Sequence, residues 1–168
     1  ATATLAAGGI MFKPHMVKYV VDTQSGQRRM IEPTPIADLG FKPEHLEIIR
    51  KGMVGVNIYG TGARAFAGVK YEVAGKTGTA QVFSLKGGKY KEGEINERLR
   101  DHALYIAYAP ANDPKIAVAV LVENGGFGAA AAAPIARQVL DYYLLGIKPA
   151  GAAPEDAEAD PEDSHAHD

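Results

Sequence analysis

The sequence has no cysteine. That absence excludes disulfides, thiolate nucleophiles and cysteine-based zinc sites together, and it leaves the compartment open. Serine is scarce as well: the chain holds only Ser25, Ser84 and Ser164. No apolar run approaches the ~18 residues needed to cross a bilayer. The first residues lack a basic region followed by an apolar stretch and a cleavage site, so no signal peptide is read there. Residues 150–168 contain no lysine or arginine, but they hold seven acids. Setting these aside leaves 13 acids against 18 bases, a charge of +5 for residues 1–149. A mildly basic body suits a polyanionic partner such as cell wall or nucleic acid, and more simply reads as a soluble surface.

What is present suits one globular domain. The chain is 46% hydrophobic and 23% charged, enough apolar material for a sizeable core. The expected organisation is a folded portion over 1–149 and a disordered acidic tail over 150–168, where alanine, proline and acids give nothing to bury. Residues 1–7 read as the end of a helix stopped by Gly8-Gly9, as in a chain that begins inside an element of a larger protein.

Residues 15–22 are rich in Val and Tyr and read as a strand, with Ser25-Gly26 as a turn and 27–31 pairing back. Residues 32–40, with two prolines, read as a loop. Residues 43–56 read as a helix with Pro43 in its first turn and an apolar stripe of Leu46, Ile49, Met53 and Val56. Glu47 and Lys51 form a favourable i,i+4 pair on another face. Residues 72–85 read as a long strand, 86–102 as a charged surface loop, and 103–109 and 115–123 as a hairpin joined across 110–114. The last of these strands is apolar on both faces, which predicts cover on both sides. Residues 129–145 read as a helix with a stripe of Ile135, Val139, Tyr142 and Tyr143, ended by Gly146 and Pro149. Tyr105 and Tyr108, like Tyr142 and Tyr143, read as core or core-edge aromatics. The fold class is therefore α/β of the α+β type: an antiparallel sheet with packed helices.

The chemistry lies in Gly75-Lys76-Thr77-Gly78-Thr79-Ala80-Gln81. A phosphate loop needs a glycine at position 70, where Lys70 stands, and a helix where the sequence is β-rich. The better reading is the Lys-Thr-Gly box of serine penicillin-recognising enzymes. A lysine supplies positive charge for a carboxylate, threonine hydroxyls donate to the same group, and glycine lets a backbone approach. An exposed strand edge can take up an extended peptide. His15, His45 and His102 show no metal-ligand spacing, and Asp101-His102 reads as structural, at a strand start. His165 and His167 are at most weak metal ligands.

Around the box the sequence resembles the class B penicillin-binding proteins, most closely the penicillin-binding protein 2 group. The resemblance is carried by residues 76–83, by Glu97-Arg98-Leu99-Arg100-Asp101-His102, by Ala107-Tyr108-Ala109-Pro110 and by Val122-Glu123-Asn124-Gly125-Gly126. Gly60-Thr61-Gly62-Ala63 is similar to the glycine-threonine turn before the box. The resemblance implies a transpeptidase domain of the serine β-lactamase and penicillin-binding fold. It assigns Lys76 to holding substrate and tuning the active-site serines. It assigns Thr77 and Thr79 to the terminal carboxylate of a D-alanyl-D-alanine stem peptide or a β-lactam, with Gly78 between them. The Thr79 N–H becomes half of the oxyanion hole. It implies no cofactor and no nucleic acid, a polytopic glycan polymerase as partner, and a periplasmic location with a membrane anchor in a preceding part. The family's Ser-x-x-Lys and Ser-x-Asn boxes are missing: Arg28, Gly87 and His167 lie three residues after the serines, and Gln27, Lys86 and Ala166 lie two after. Both boxes are expected upstream of Ala1. A β-lactam sensor or a non-catalytic wall-binding relative stays open as the alternative.

Overall fold

A computed structural model of the chain describes residues 1–82 and 96–149. The expected acidic tail over 150–168, the end of the strand at 83–85 and most of the charged loop lie outside the described residues.

Helix α1 (Thr2–Ala6) stops at the glycine pair, where Gly8 and Gly9 take φ of 70° and 99°. Four short strands follow: β1 (Ile10–Phe12), β2 (Tyr19–Val21), β3 (Arg28–Met30) and β4 (Pro35–Asp38). Strands β2 and β3 form the expected hairpin, with Tyr19 opposite Met30 and Val21 opposite Arg28. Asp22 builds its turn by accepting from the Ser25 N–H at 2.8 Å and the Gln24 N–H at 3.0 Å. These donors, the Ser25 N–H foremost, hold the Asp22 carboxyl below the ordinary carboxylate value. The loop expected over 32–40 is corrected in part. Its second half is β4, which pairs antiparallel with β1. Strands this short carry too little alternation to be read, and Pro35 at the first position argued against one although that position tolerates proline.

Helix α2 (Pro43–Ile58) begins with Pro43 at its first turn. The expected Glu47–Lys51 pair is present at 3.4 Å, but Glu47 has a better partner. Arg50 donates to it through two nitrogens, each at 2.8 Å, and reaches Glu72 at 3.1 Å. The Arg50 hydrogen bonds lower the Glu47 carboxyl to about 2.

The central sheet has the order β5-β6-β7 and is antiparallel throughout. Its strands are β5 (Ala74–Ala80), β6 (His102–Ala109) and β7 (Ile116–Val122). On the first face Ala103, Tyr105, Ala107 and Ala109 are fully buried against helix α3 (Ala132–Leu145), with Val118, Val120 and Val122 packed beside them. The side of α3 that faces the sheet differs from the expected one. Ala132, Ala133, Ala136 and Leu140 are buried, whereas Ile135, Val139, Tyr142 and Tyr143 are exposed. Tyr105 and Phe66 stack at 5.4 Å in the same core, so the bulk is already supplied from below. A helix that packs over them fits close only through small side chains. Gly146, with φ of 69°, caps α3: its N–H donates to the Tyr142 carbonyl at 2.9 Å. This assignment predicts an asymmetry. Leu140→Ala should cost about 2–5 kcal/mol and Tyr143→Ala about 0.5 kcal/mol or less. Urea unfolding of the two variants tests it, and equal losses would contradict the buried alanine face.

The second face is covered at one end. Ala74, Tyr108 and Ala111 pack against Met53 and Val54 of α2 and Leu5 and Ala6 of α1. Further along, Ile106 is 38% and Leu121 57% exposed. The cover expected on both sides of β7 is therefore corrected: Val118, Val120 and Val122 are partly buried on the first face, whereas Ala117, Ala119 and Leu121 are exposed on the second, because the α1 and α2 side chains of that core pack toward the Tyr108 end.

Candidate active site

The Lys76-Thr77-Gly78-Thr79 box lies on β5, the edge strand of the sheet. In the β5–β6 register Lys76 is opposite Ile106, while Thr77 is opposite Tyr105 and Thr79 is opposite Ala103. Strand alternation thus sends the lysine to the second face and both threonines to the first. Lys76 is exposed and donates from Nζ to the Thr77 carbonyl at 2.7 Å. Thr77 is half-buried, and its hydroxyl lies 2.7 Å from that of Thr61. Thr79 is exposed, and its hydroxyl accepts a long bond from the Gly128 N–H at 3.5 Å.

Three clamps hold this strand. The first is a buried network under Gly75. Asn57 of α2 donates to the Val73 carbonyl at 2.9 Å and accepts from the Tyr105 hydroxyl at 2.7 Å. Burial pushes the Tyr105 phenol well above its usual value, against a smaller opposite effect of the Asn57 bond. A Cβ at position 75 would collide with the Tyr105 hydroxyl, so only glycine fits over this network. The second clamp is the Gly60–Gly62 turn, which follows α2 and presents Thr61 to Thr77. The third lies across the far end. A Cβ at Gly128 would strike the carbonyls of Gly78 and Leu104, so the segment after β7 rests directly on the box.

Asp101 and His102 belong to a staple at the start of β6. The Asn124 N–H donates to His102 Nδ1 at 2.9 Å, and the Asn124 amide donates to the carbonyls of Arg98 and Arg100 at 3.1 and 2.9 Å. The Gly126 N–H donates to the Asp101 carbonyl at 2.8 Å. Asn124 adopts φ of 53°, a conformation that asparagine tolerates better than most residues.

Asn57, Tyr105 and Gly128 escaped the sequence reading as site-supporting residues. Asn57 left one readable trace, a polar residue next to the apolar stripe at the end of α2. Ser25 sits in the β2–β3 turn, remote in sequence and element from the box. The arrangement supplies an ammonium, two hydroxyls and a strand edge, which together can bind a carboxylate and an extended peptide. The described residues place no serine beside it.

Residues 1–141 match the family described as Penicillin binding protein transpeptidase domain. The Peptidoglycan D,D-transpeptidase MrdA of Haemophilus influenzae is 42% identical over 152 residues, which cover 86% of this chain and 22% of that protein. Among solved structures, penicillin-binding protein 2 of Pseudomonas aeruginosa is similar with a TM-score of 0.63 and 38% identity, over 91% of this chain and 30% of that one. The ceftriaxone acyl-enzyme complex of penicillin-binding protein A from Mycobacterium tuberculosis is similar with a TM-score of 0.64 and 32% identity, over 85% and 30%. The chain thus spans about a fifth of the length of the curated relative it matches. On a match that runs from its first residue through most of α3, this chain belongs to the penicillin-binding protein transpeptidase domain family.

Proposed function

We propose that this chain is the substrate-recognition portion of a peptidoglycan D,D-transpeptidase of the penicillin-binding protein 2 group. In that reading residues 1–149 are the C-terminal part of the catalytic domain, and 150–168 form an appended tail. The observation that carries the proposal is the edge strand itself. It offers Lys76 from one face, Thr77 and Thr79 from the other, and Gly78 between them, in a chain whose relatives include proteins named for this activity.

The reaction is acyl transfer in two steps. A serine contributed by a part of the protein outside this chain attacks the carbonyl of the penultimate D-alanine. The terminal D-alanine leaves, and an amine of a second stem peptide then takes the acyl group. The peptide lies along the β5 edge. Its terminal carboxylate accepts from Thr77 and Thr79 beside the Lys76 ammonium, and these charge-assisted bonds fix the scissile carbonyl. The Thr79 N–H faces the developing oxyanion. A β-lactam carries a carboxylate and a reactive carbonyl, occupies the same positions and stops at the acyl-serine stage. The complete protein would act at the periplasmic face of the inner membrane, held by an anchor in its preceding part, with a polytopic glycan polymerase as its partner in elongation.

The test is release of D-alanine, with formation of cross-linked peptide, from a pentapeptide donor by the complete protein carrying this segment. Both products should vanish after treatment with penicillin. Covalent penicillin uptake without any cross-linked product would replace the transpeptidase by a β-lactam sensor.

A further inference from the structure

We propose that Thr61 is a positioning residue that turns the Thr77 hydroxyl into an outward donor for the substrate carboxylate. The inference rests on the reading of Thr77 as a carboxylate-binding residue. The two hydroxyls lie 2.7 Å apart, and either can donate. Each has a single proton and two acceptor lone pairs. An ionised carboxylate only accepts, so when it is bound the Thr77 proton must point toward it. The contact with Thr61 can then persist in one direction only, with Thr61 donating and Thr77 accepting. A chain from Thr61 through Thr77 to the carboxylate polarises along its length and strengthens the outer, charge-assisted bond. Without Thr61, the Thr77 hydroxyl keeps its proton but loses the donor that selects its rotamer and direction.

The fold holds Thr61 in place through the end of α2, where Asn57 is buried. A Cβ at Gly60 would lie 2.7 Å from the Val56 Cα, and one at Gly62 would collide with the Asn57 Oδ1. The turn is therefore pressed against the last turns of α2. The Gly62 N–H adds a bond to the Val56 carbonyl at 2.9 Å. Asn57 is in turn bonded to the Val73 carbonyl, one residue before β5, and to the Tyr105 hydroxyl, opposite Thr77 in the sheet. Turn and strand are thus locked together by a buried amide, and Thr61 reaches Thr77 from a fixed base. Thr61 itself is exposed, so its side chain contributes little to the core and can be changed without emptying one.

The experiment uses the complete protein and measures the second-order rate of acylation by a fluorescent penicillin. Thr61→Val keeps the shape and removes the donor; it should slow acylation about threefold to tenfold, the usual effect of one neutral hydrogen bond. Thr61→Ser should restore most of the rate. Thr77→Val should be slower still, and the double variant should be no slower than Thr77→Val alone. The Thr61→Val deficit should also disappear with the methyl ester of the same penicillin, which has no carboxylate to orient. A full rate for Thr61→Val beside a slow Thr77→Val would overturn the inference and leave the proposed function standing. A Thr61 deficit that adds to that of Thr77, or persists on the ester, would overturn it too, by showing a route other than Thr77. An unimpaired Thr77→Val would remove the carboxylate reading and the inference with it. Thermal unfolding of each variant separates these outcomes from loss of fold.

Discussion

Incubated with a fluorescent penicillin, the 168-residue chain by itself is expected to take up no covalent label, whereas the complete protein carrying it should label to near one equivalent. Acylation needs an activated nucleophile. Ser25, Ser84 and Ser164 have no lysine three residues on, and the described residues place no serine at the β5 edge. Recognition groups without a nucleophile can at most hold the antibiotic reversibly. The same experiment, followed by light scattering, should show the isolated chain associating. Leu121 and Ile106 stay exposed on the second sheet face, as do Ile48 and Ile58 on α2. Apolar surface gathered on one element face drives association in water. A monodisperse chain that acquires a covalent label would refute both expectations and would point to a nucleophile other than the serine of a Ser-x-x-Lys box.

In the complete protein, Lys76→Ala should lower the acylation rate by about tenfold to a hundredfold. A hydrogen bond to a charged group is worth roughly 1.5–3 kcal/mol, and the loss here falls on the step that fixes the substrate. The fold should be nearly indifferent. The ammonium is exposed and donates to the carbonyl of the adjacent Thr77. Surface changes of that kind stay within about 0.5 kcal/mol of stability. The expected signature is therefore a slow enzyme with an unchanged melting temperature. Lys76→Arg retains the charge but changes the shape of the donor, so it should recover only part of the rate. An unimpaired, folded Lys76→Ala protein would end the assignment of Lys76 to substrate binding.

The two faces of α3 show where reading a sequence loses information. Periodicity located the helix and Gly146 located its end, because both depend on neighbours a few residues away. Periodicity also chose the wrong side. Ile135, Val139, Tyr142 and Tyr143 form the more apolar stripe, yet the alanines and Leu140 face the sheet. That choice depends on how much room Tyr105 and Phe66 leave, and this is a property of the assembled core. The β1–β4 pair was missed for a related reason. Its strands are three and four residues long, far apart in the chain and identifiable only by their pairing. Asn57 is the instructive case for the site. In the sequence it is a polar residue at the end of an apolar stripe; in the fold it is the buried amide that ties α2 to β5 and β6.

The local pattern of residues was sufficient for the α+β class, the β5, β6 and β7 strands, the α2 and α3 helices and the position of the Lys-Thr-Gly-Thr box. Strand alternation alone also placed Lys76 opposite in sense to Thr77 and Thr79, since the side-chain period of a strand is two whatever surrounds it. Tertiary structure alone decided that β5 is an edge, that Thr61 meets Thr77, that Gly128 rests on Gly78, and that one sheet face is filled while part of the other is open. Those facts join residues far apart in the chain, Gly78 with Gly128 and Leu5 with Tyr108 among them, and close packing among such residues follows from the volumes and hydrogen-bonding needs of the whole core, which no short stretch of chain encodes.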